Sequence, residues 1–286
     1  MLIRPSRDAI DRLVRAALEE DAPWGDLTSR TLIPVSAHAT AQLAAREPGI
    51  LSGEDVFAAA MLLTDKGIAT KFHFHDGQSF PSGAVLATVD GPAQSLLQAE
   101  RVALNFLQRM SGIATLTYRY VSAVAGTHAR VVDTRKTTPG LRILERYAVR
   151  CGGGHNHRFS LSDAVMVKDN HLVILAAGGG DVSHALRAMR ASLPHTVHIE
   201  VEVDRPDQVE AVLAAGVDSI LLDNFTTDQL RAAVVQVAGR ALLEASGGIT
   251  LERMREIAET GVDIISAGAL THSVRALDLG LDVLPG

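Results

Sequence analysis

The chain has very few residues that could crosslink it or stack in its core. One cysteine, Cys151, occurs among its 286 residues, which excludes an intrachain disulfide and indicates a reducing compartment. Aromatic residues make up only 4% of the sequence, whereas hydrophobic residues make up 47%. The core is therefore predicted to consist mainly of alanine, valine, leucine and isoleucine. We interpret Cys151 as a buried structural thiol rather than a nucleophile.

Long apolar runs and an excess of positive charge are also missing. No stretch approaches the ~18 uncharged apolar residues of a membrane span. The start of the chain, MLIRPSRDAIDRLVRAALEE, is charged throughout, where a signal peptide would be apolar. The net charge of -6 argues against nucleic acid or an anionic membrane surface as a partner. These absences predict a cytoplasmic protein.

The first part of the chain is typical of a small α+β domain. Residues 38–92 alternate between short apolar runs and turns that contain glycine or proline. A strong helical pattern over 93–110 ends at Ser111-Gly112, after which a second helix is expected. We predict an N-terminal α/β sandwich domain over residues 1–112, to which residues 273–286 return.

From residue 126 the pattern changes to short apolar runs that alternate with helical segments. The six runs lie in AGTHARVVDT (125–134), DAVMVKD (163–169), VHIEVEV (197–203), AGVDSILLD (215–223), AGRALLEAS (238–246) and TGVDIISAG (260–268). The helical segments include 181–193, 205–215, 226–238 and 250–260. Such alternation predicts parallel strands joined by right-handed crossovers, buried on both faces.

The length of this second part limits the architecture. About 145 residues are too few for the ~250 of an eight-unit β/α barrel. We therefore predict an incomplete parallel β/α barrel of six to seven strands over residues 113–272. A doubly wound open sheet is the alternative, although no Gly-x-Gly-x-x-Gly follows a first strand to favour it.

Polar residues occur in or after each of the six runs, toward the end of the sheet where a parallel barrel places its active site. In chain order they are Thr134, Arg135 and Lys136; Lys168; Glu200 and Glu202; Asp223; Ser246, Gly247 and Gly248; and Gly268. Residues 133–158 contain six lysines and arginines against two acids, which favours a pocket for a small, multiply charged anion. The carboxylates would hold a divalent cation or sugar hydroxyls, and the Ser-Gly-Gly turn would hold a phosphate. Because side chains alternate along a strand, we expect only one of Glu200 and Glu202 to face the site, and we favour Glu202.

Nine short motifs follow one another in order along the chain. They are GDLTS (25–29), AERVALNFLQRMSGIAT (99–115), DTRKTTPGLR (133–142), YAVRCGGGHNHR (147–158), KDNH (168–171), EVEV (200–203), LLDN (221–224), ASGGI (245–249) and GALTHS (268–273). Together they resemble the nicotinate-nucleotide pyrophosphorylase (carboxylating) family, also called quinolinate phosphoribosyltransferase; any one motif alone would be weak. The resemblance implies an N-terminal α/β sandwich, an incomplete α/β barrel and an active site at a homodimer interface.

The resemblance also implies a pentosyltransferase reaction. Quinolinate and 5-phosphoribosyl 1-pyrophosphate would give nicotinate mononucleotide, pyrophosphate and CO2 with Mg²⁺, a step of de novo NAD synthesis. One rival function is a related phosphoribosyltransferase that acts on another small aromatic acid, such as the paralogue associated with molybdenum transport. A second is a non-enzymatic anion-binding protein that keeps the fold.

The roles of the site residues are carried over from the family by position. Arg135, His157, Arg158 and Lys168 are expected to bind the two carboxylates of quinolinate, and Arg101 is expected to reach into the partner subunit's site. Lys136 would meet 5-phosphoribosyl 1-pyrophosphate, and Glu202 and Asp223 would hold Mg²⁺ or ribose hydroxyls. Thr134 belongs to the substrate-binding set, and the 5-phosphate would be cradled by Ser246, Gly247, Gly248, Ala267, Gly268 and Ala269. Catalysis itself is expected to depend on Lys136, Lys168, Glu202 and Asp223.

Overall fold

The computed structural model describes residues 2–177 and 181–285, which divide into two compact units. The N-terminal unit comprises the described residues up to 118 together with 137–153 and those from 270 onward. The barrel unit comprises residues 119–136 and the described part of 154–269. No helix within the described ranges is long and apolar enough to cross a lipid bilayer.

From residue 199 to residue 266, strands and helices alternate in the barrel unit, whereas they are mixed in the N-terminal unit. In chain order, the described elements are α1 (Arg7–Asp21), α2 (Leu27–Leu32), β1 (His38–Ala45), β2 (Gly49–Ile50), α3 (Glu54–Thr64), β3 (Ala69–Phe72), β4 (Ser79–Phe80), β5 (Val85–Pro92), α4 (Ala93–Ala123), β6 (Arg130–Val132), α5 (Arg142–Cys151), β7 (Val165–Val167), α6 (Asp169–Ala177), α7 (Val182–Ser192), β8 (Ile199–Val203), α8 (Val209–Leu213), β9 (Ser219–Asp223), α9 (Thr227–Val237), β10 (Leu242–Ser246), α10 (Met254–Ala258), β11 (Ile264–Ser266), α11 (Ala269–His272) and β12 (Leu279–Val283). Short 3₁₀ turns at Pro206–Gln208 and Leu251–Arg253 precede α8 and α10.

The N-terminal unit contains a four-stranded antiparallel sheet in the order β12-β1-β5-β3. Strand β1 alternates between buried and partly exposed residues, as expected for a sheet with one face on a core. Leu43 of β1 lies opposite Leu281 of β12, so the end of the chain supplies an edge strand to the sheet. Helices α1 and α3 contribute apolar side chains to this core, including the fully buried Phe57.

The expected break at Ser111-Gly112 is wrong, because α4 is a single helix of 31 residues. Gly112 has a different purpose: a Cβ at this position would lie 2.3 Å from the carbonyl oxygen of Arg275. The segment after Arg275 therefore passes directly over the helix backbone, and the Leu277 N–H donates to the Gln108 carbonyl at 3.0 Å. Glycine here permits a close backbone approach, whereas the sequence pattern alone favoured a turn.

The barrel unit confirms the incomplete parallel β/α barrel. Its six strands are all parallel and lie in the order β6-β11-β10-β9-β8-β7. Each of the six apolar runs contains one of these strands. Four residues of β9 are buried, as expected for a strand covered on both faces. Strands β6 and β7 are the two ends of this described sheet, so the barrel stays open between them.

Two predicted helices are shorter than the sequence pattern suggested. The segments 205–215 and 250–260 each consist of a 3₁₀ turn followed by a five-residue helix. An additional helix, α6, begins immediately after Lys168, where only a polar strand end was expected. All residues of its run LVILAA are apolar. Such a run has no alternation of apolar and polar residues from which a helix could be identified.

Candidate active site

A cavity of about 440 Å³ lies at the carboxyl ends of the barrel strands. Nine of the residues selected from the sequence line it: Thr134, Arg135, Lys136, His157, Arg158, Lys168, Glu202, Asp223 and Ser246. The other predicted residues are not among its lining: Gly247, Gly248, Ala267, Gly268, Ala269 and Arg101. Arg101 belongs to the N-terminal unit, where it is exposed on α4. The barrel topology thus gathers cations and carboxylates from five separate segments around one space.

Two arginines give the cavity its positive side. Burial and the neighbouring charge of Arg135 both lower the pKa of Arg158 from its ordinary value. The Arg158 guanidinium is held in place because Nη1 donates to the Ala164 carbonyl at 2.9 Å. Two like charges held this close are each stabilised by an anion that binds between them.

Lys168 and Glu202 place opposite charges on neighbouring strands. Lys168 follows β7, Glu202 lies near the end of β8, and the ammonium Nζ pairs with the carboxylate Oε2. The Lys168 side chain keeps 44% of its surface exposed and Glu202 keeps 16%. An exposed pair of this kind exchanges partners at little cost, so both groups are able to turn to a ligand.

The turn after β10 is locked against the end of β9. The Asn224 N–H donates to the Ser246 carbonyl at 2.9 Å, and its side-chain amide donates to Asp223 Oδ2 at 2.8 Å. Gly247 has φ +83°, and a Cβ there would lie 2.3 Å from Asn224 Oδ1. Only glycine satisfies both conditions, and its presence fixes Asp223 and Ser246 side by side at the cavity wall.

Of Glu200 and Glu202, only Glu202 lines the cavity, as expected, but the alternation argument behind that expectation is wrong. Side chains separated by two residues on a strand point to the same face, and only adjacent residues alternate. Glu200 is buried on the same side as Glu202, where its Oε2 lies 2.9 Å from His157 Nε2. The Ser219 hydroxyl donates to the other oxygen, Oε1, at 3.0 Å. Glu200 therefore lies beneath the cavity and Glu202 at its mouth.

Two further polar residues of the cavity wall, Glu244 and Ser266, were not selected from the sequence. Glu244 precedes Ser246 by two residues, and Ser266 precedes Gly268 by two. Because side chains two residues apart on a strand point to the same face, the positions of Ser246 and Gly268 would have identified both Glu244 and Ser266. Burial, together with the nearby charge of Glu200, raises the pKa of Glu244 above its ordinary value. Burial alone would raise the pKa of Glu200 too, but hydrogen bonds from His157 and Ser219 outweigh it and lower that pKa.

Both ring nitrogens of His157 have partners. Nε2 faces Glu200 at 2.9 Å and Glu244 at 3.5 Å, while Nδ1 accepts the backbone N–H of Arg158 at 2.7 Å. Burial opposes a charge on the ring, but the two carboxylates outweigh burial and raise the pKa of His157. The backbone N–H of Arg158 opposes protonation of His157 at Nδ1, because it already donates a hydrogen bond to that nitrogen. The contacts fit the tautomer that carries its proton on Nε2.

Of the two pairs of carboxylates, Glu202 and Asp223 are better suited to hold a metal ion than Glu200 and Glu244. His157, Glu200 and Glu244 have possible ligand atoms within 4.8 Å of one another. However, a metal would need the Nε2 lone pair, and in this tautomer Nε2 carries the proton that faces Glu200. Glu202 and Asp223 offer oxygen ligands in the wall of the open cavity, which is the donor type that Mg²⁺ prefers.

Two family models together match nearly the whole chain. The C-terminal domain of quinolinate phosphoribosyl transferase matches residues 113–282, and its N-terminal domain matches residues 26–111. The nicotinate-nucleotide pyrophosphorylase [carboxylating] of Mycobacterium leprae is 47% identical over 96% of this chain and 98% of its own length. The probable enzyme of the same name from Bacillus subtilis is 42% identical over 96% of this chain and 93% of its own length.

Solved structures show the same similarity. The nicotinate-nucleotide pyrophosphorylase from Francisella tularensis superposes with a TM-score of 0.92 at 37% identity, covering 99% of both chains. NadC from Streptococcus pyogenes gives a TM-score of 0.92 at 41% identity, covering 99% of this chain and 100% of its own.

Proposed function

The chain belongs to the quinolinate phosphoribosyl transferase family, and from this premise we propose that the barrel cavity is where its reaction takes place. The reaction transfers phosphoribosyl from 5-phosphoribosyl 1-pyrophosphate to quinolinate, with loss of CO2. Its product, nicotinate mononucleotide, serves NAD synthesis. The observation that carries the proposal is the meeting of four cations and two accessible carboxylates in one cavity of about 440 Å³.

Quinolinate is a dianion, and the arginine side of the cavity suits its two carboxylates. We assign Arg135, Arg158 and Lys168 to these carboxylates, because planar guanidinium groups bind carboxylates in a bidentate manner. His157 lines the same cavity, and the sequence resemblance gives it a carboxylate contact as well. Its two nitrogens are already bonded, so that contact would require Glu200 or the Arg158 N–H to give up its bond.

The other side of the cavity suits the sugar and its leaving group. Displacement of pyrophosphate builds positive charge at the anomeric carbon, which the carboxylates of Glu202 and Asp223 would stabilise. Mg²⁺, when held by the same two carboxylates, would neutralise the leaving pyrophosphate, while Lys136 contributes a second positive charge. Thr134, in the same segment after β6 as Lys136, completes this side of the substrate-binding set.

The 5-phosphate is assigned to the turns after β10 and β11. Ser246 lines the cavity, and Gly247 and Gly248 follow it with left-handed backbone angles. In such turns, backbone N–H groups are able to approach an anion without hindrance from a side chain. Ala267, Gly268 and Ala269 form the matching turn on the next strand and complete this cradle.

Decarboxylation follows from the charge that the first step creates. Attack by the pyridine nitrogen makes the ring cationic, and the 2-carboxyl group then leaves as CO2 because the adjacent cationic nitrogen stabilises the electron pair left on C2. A proton from solvent then adds to C2 and gives nicotinate mononucleotide. No side chain has to form a covalent bond with the substrate. The work of this chain is to position two anions and to balance their charges.

We further propose a homodimer in which the partner subunit's Arg101 completes each site. Arg101 lies exposed on α4 and has no place in the barrel cavity of its own chain. Four large apolar side chains near the chain start, Trp24, Leu27, Leu32 and Val35, are each at least 73% exposed, which suits a surface that another subunit covers. With its single buried cysteine, the enzyme is expected in the cytoplasm.

A direct assay tests the proposed function. The purified protein is incubated with quinolinate, 5-phosphoribosyl 1-pyrophosphate and Mg²⁺, and nicotinate mononucleotide is followed by mass while CO2 is trapped. We expect equal amounts of both products and none when EDTA replaces Mg²⁺. Bound 5-phosphoribosyl 1-pyrophosphate without product would contradict quinolinate as the substrate, and other aromatic acids would then replace it in the same assay.

A further inference from the structure

The open side of the barrel is covered by a segment that is not a strand. His155 forms a parallel bridge to Val132, where a neighbour of β6 is missing. The His155 N–H donates to the Val131 carbonyl at 2.8 Å, and the Asp133 N–H donates to the His155 carbonyl at 3.1 Å. The segment 155–157 thereby takes the place of an adjoining strand for three residues.

Asp133 joins this segment to β6 with its side chain as well. The residue has no exposed surface. Its Oδ1 accepts the backbone N–H of His157 at 2.8 Å, and its Oδ2 accepts the side-chain amide of Asn156 at 2.6 Å. Hydrogen bonds to a buried carboxylate are among the stronger ones in proteins, so this connection is rigid.

The two segments that Asp133 joins carry the two arginines of the cavity. Arg135 lies two residues after Asp133 on one segment, and Arg158 directly follows His157 on the other. The positive charges of these arginines repel each other, and burial adds to the effect on Arg158. The connection through Asp133 opposes a separation of the two backbone segments under this repulsion.

We propose that Asp133 is a positioning residue for quinolinate, because it fixes the separation of Arg135 and Arg158 through the two backbone segments that carry them. The proposal rests on the function assigned above. Quinolinate holds its two carboxylates at a fixed separation on a rigid ring, so two arginines at a matching fixed separation bind it without reorganising.

His157 takes part in the same arrangement. Its backbone is held by Asp133, its ring by Glu200, and its Nδ1 accepts the N–H of Arg158. Each of these bonds restrains the backbone from which the Arg158 side chain extends. His157 accordingly acts through Arg158 and is itself a positioning residue in this arrangement.

A reciprocal exchange of Asp133 and Asn156 tests the proposal. In Asp133→Asn, the Oδ1 atom still accepts the His157 N–H, but two amide groups now face each other. In Asn156→Asp, two carboxylates face each other. The double variant Asp133→Asn/Asn156→Asp restores one donor and one acceptor with the net charge unchanged, so it separates the hydrogen bond from the identity of either residue.

We expect each single variant to raise KM for quinolinate by roughly tenfold to a hundredfold, the cost of a small misplacement in a site. KM for 5-phosphoribosyl 1-pyrophosphate should change far less, and the double variant should recover most of the loss. Calorimetric titration with quinolinate alone should rank the proteins in the same way: the wild type binds most tightly, the double variant next, and the single variants most weakly. Asp263→Asn is the matched control, because Asp263 accepts the Leu243 N–H at the opposite end of the same sheet.

Several results would overturn the proposal. They are an equal rise of both KM values, a double variant no better than the single ones, or unchanged quinolinate affinity in folded single variants. If Asp133→Asn does not fold, Asn156→Asp and the double variant still provide the comparison. Failure of the wild-type protein to bind quinolinate would instead contradict the proposed function, and the two failures are therefore distinguishable.

Discussion

Buried acids have different partners in the two units of the molecule. In the N-terminal unit, Glu145 is 1% exposed and accepts Arg109 Nε at 2.7 Å and the Thr138 N–H at 3.1 Å. In the barrel unit, Glu200 and Glu244 are as deeply buried, but their described partners are an imidazole and a hydroxyl. An acid bonded to arginine neutralises a charge within the fold. An acid bonded to an imidazole and a hydroxyl beneath a cavity shapes the field that a ligand meets.

The largest expected effect is on activity, in the barrel. Lys168→Ala should lower kcat/KM by about a hundredfold to a thousandfold, since it removes a positive charge that we assign to substrate binding. The melting temperature should change by no more than about 2 °C, because the Lys168–Glu202 pair is partly exposed and contributes little to stability. Lys71→Ala, an exposed change on β3, is the control and should alter neither quantity. Comparable losses of activity and stability in Lys168→Ala would remove the distinction between the units.

The second prediction tests the proposal that a residue of the N-terminal unit acts in the barrel of another subunit. Arg101→Ala should fold normally but lose about a hundredfold in activity. Mixed in equal amounts with Lys168→Ala under conditions of subunit exchange, it should recover about one quarter of wild-type activity, because half of the dimers would have one complete site. Proof of exchange by mass spectrometry accompanies the assay. Exchange without recovery would contradict the shared site.

The third prediction is a loss of stability in the N-terminal unit. Glu145→Ala should lower the free energy of unfolding by about 2–3 kcal/mol. This is less than the ~3–5 kcal/mol for a fully buried pair, because Arg109 keeps 31% of its side chain exposed and can be hydrated. Urea denaturation measures the change. The activity of the folded fraction should fall far less than in Lys168→Ala, and an activity loss of similar size would show that this acid also serves the site.

The smallest expected effect is a gain of stability in the barrel. In the native state Glu244 stays protonated to a higher pH than it does in the unfolded chain. Glutamates in the unfolded chain titrate near pH 4.5. Wild-type stability should therefore fall as the pH rises from that value through the higher native pKa. Glu244→Gln cannot ionise, so it should be more stable than wild type by about 1 kcal/mol at pH 8 and no more stable at pH 4. Glu210→Gln, an exposed change, should show no such pH dependence.

The sequence predicted the barrel well because its evidence is local. Each apolar run is short, follows a helical segment and ends in polar residues, so the six strands and most of the cavity wall could be identified. The long helix α4 could not be predicted, because what explains Gly112 is the backbone at Arg275, over 160 positions later in the chain. The role of Asp133 could not be predicted either, because its partners lie in another segment of the chain. Nothing in DTRKTT indicates that its first residue is bonded to Asn156 and His157.

The argument that separated Glu200 from Glu202 contains a different kind of error, because the information needed to correct it was present in the sequence. The period of two in a strand puts Glu200, Glu202 and, on β10, Glu244 and Ser246 on the inner face of the barrel. Applied consistently, it would have predicted a buried acidic layer below the cavity. What it could not supply is the state of that layer, which depends on the tautomer of His157 and on the hydroxyl of Ser219.

The order in which the strands pair has a consequence for synthesis on the ribosome. Strand β6 is followed directly by the DTRK segment (133–136), yet its partner in the sheet is β11, which begins at Ile264. Strand β1, near the start of the chain, pairs with β12 at Leu279–Val283. Both sheets must therefore wait for the same late stretch of chain, so a nascent polypeptide stalled before residue 264 would have neither one complete. The cations of the cavity are therefore synthesised before the strand that completes the sheet on which they lie.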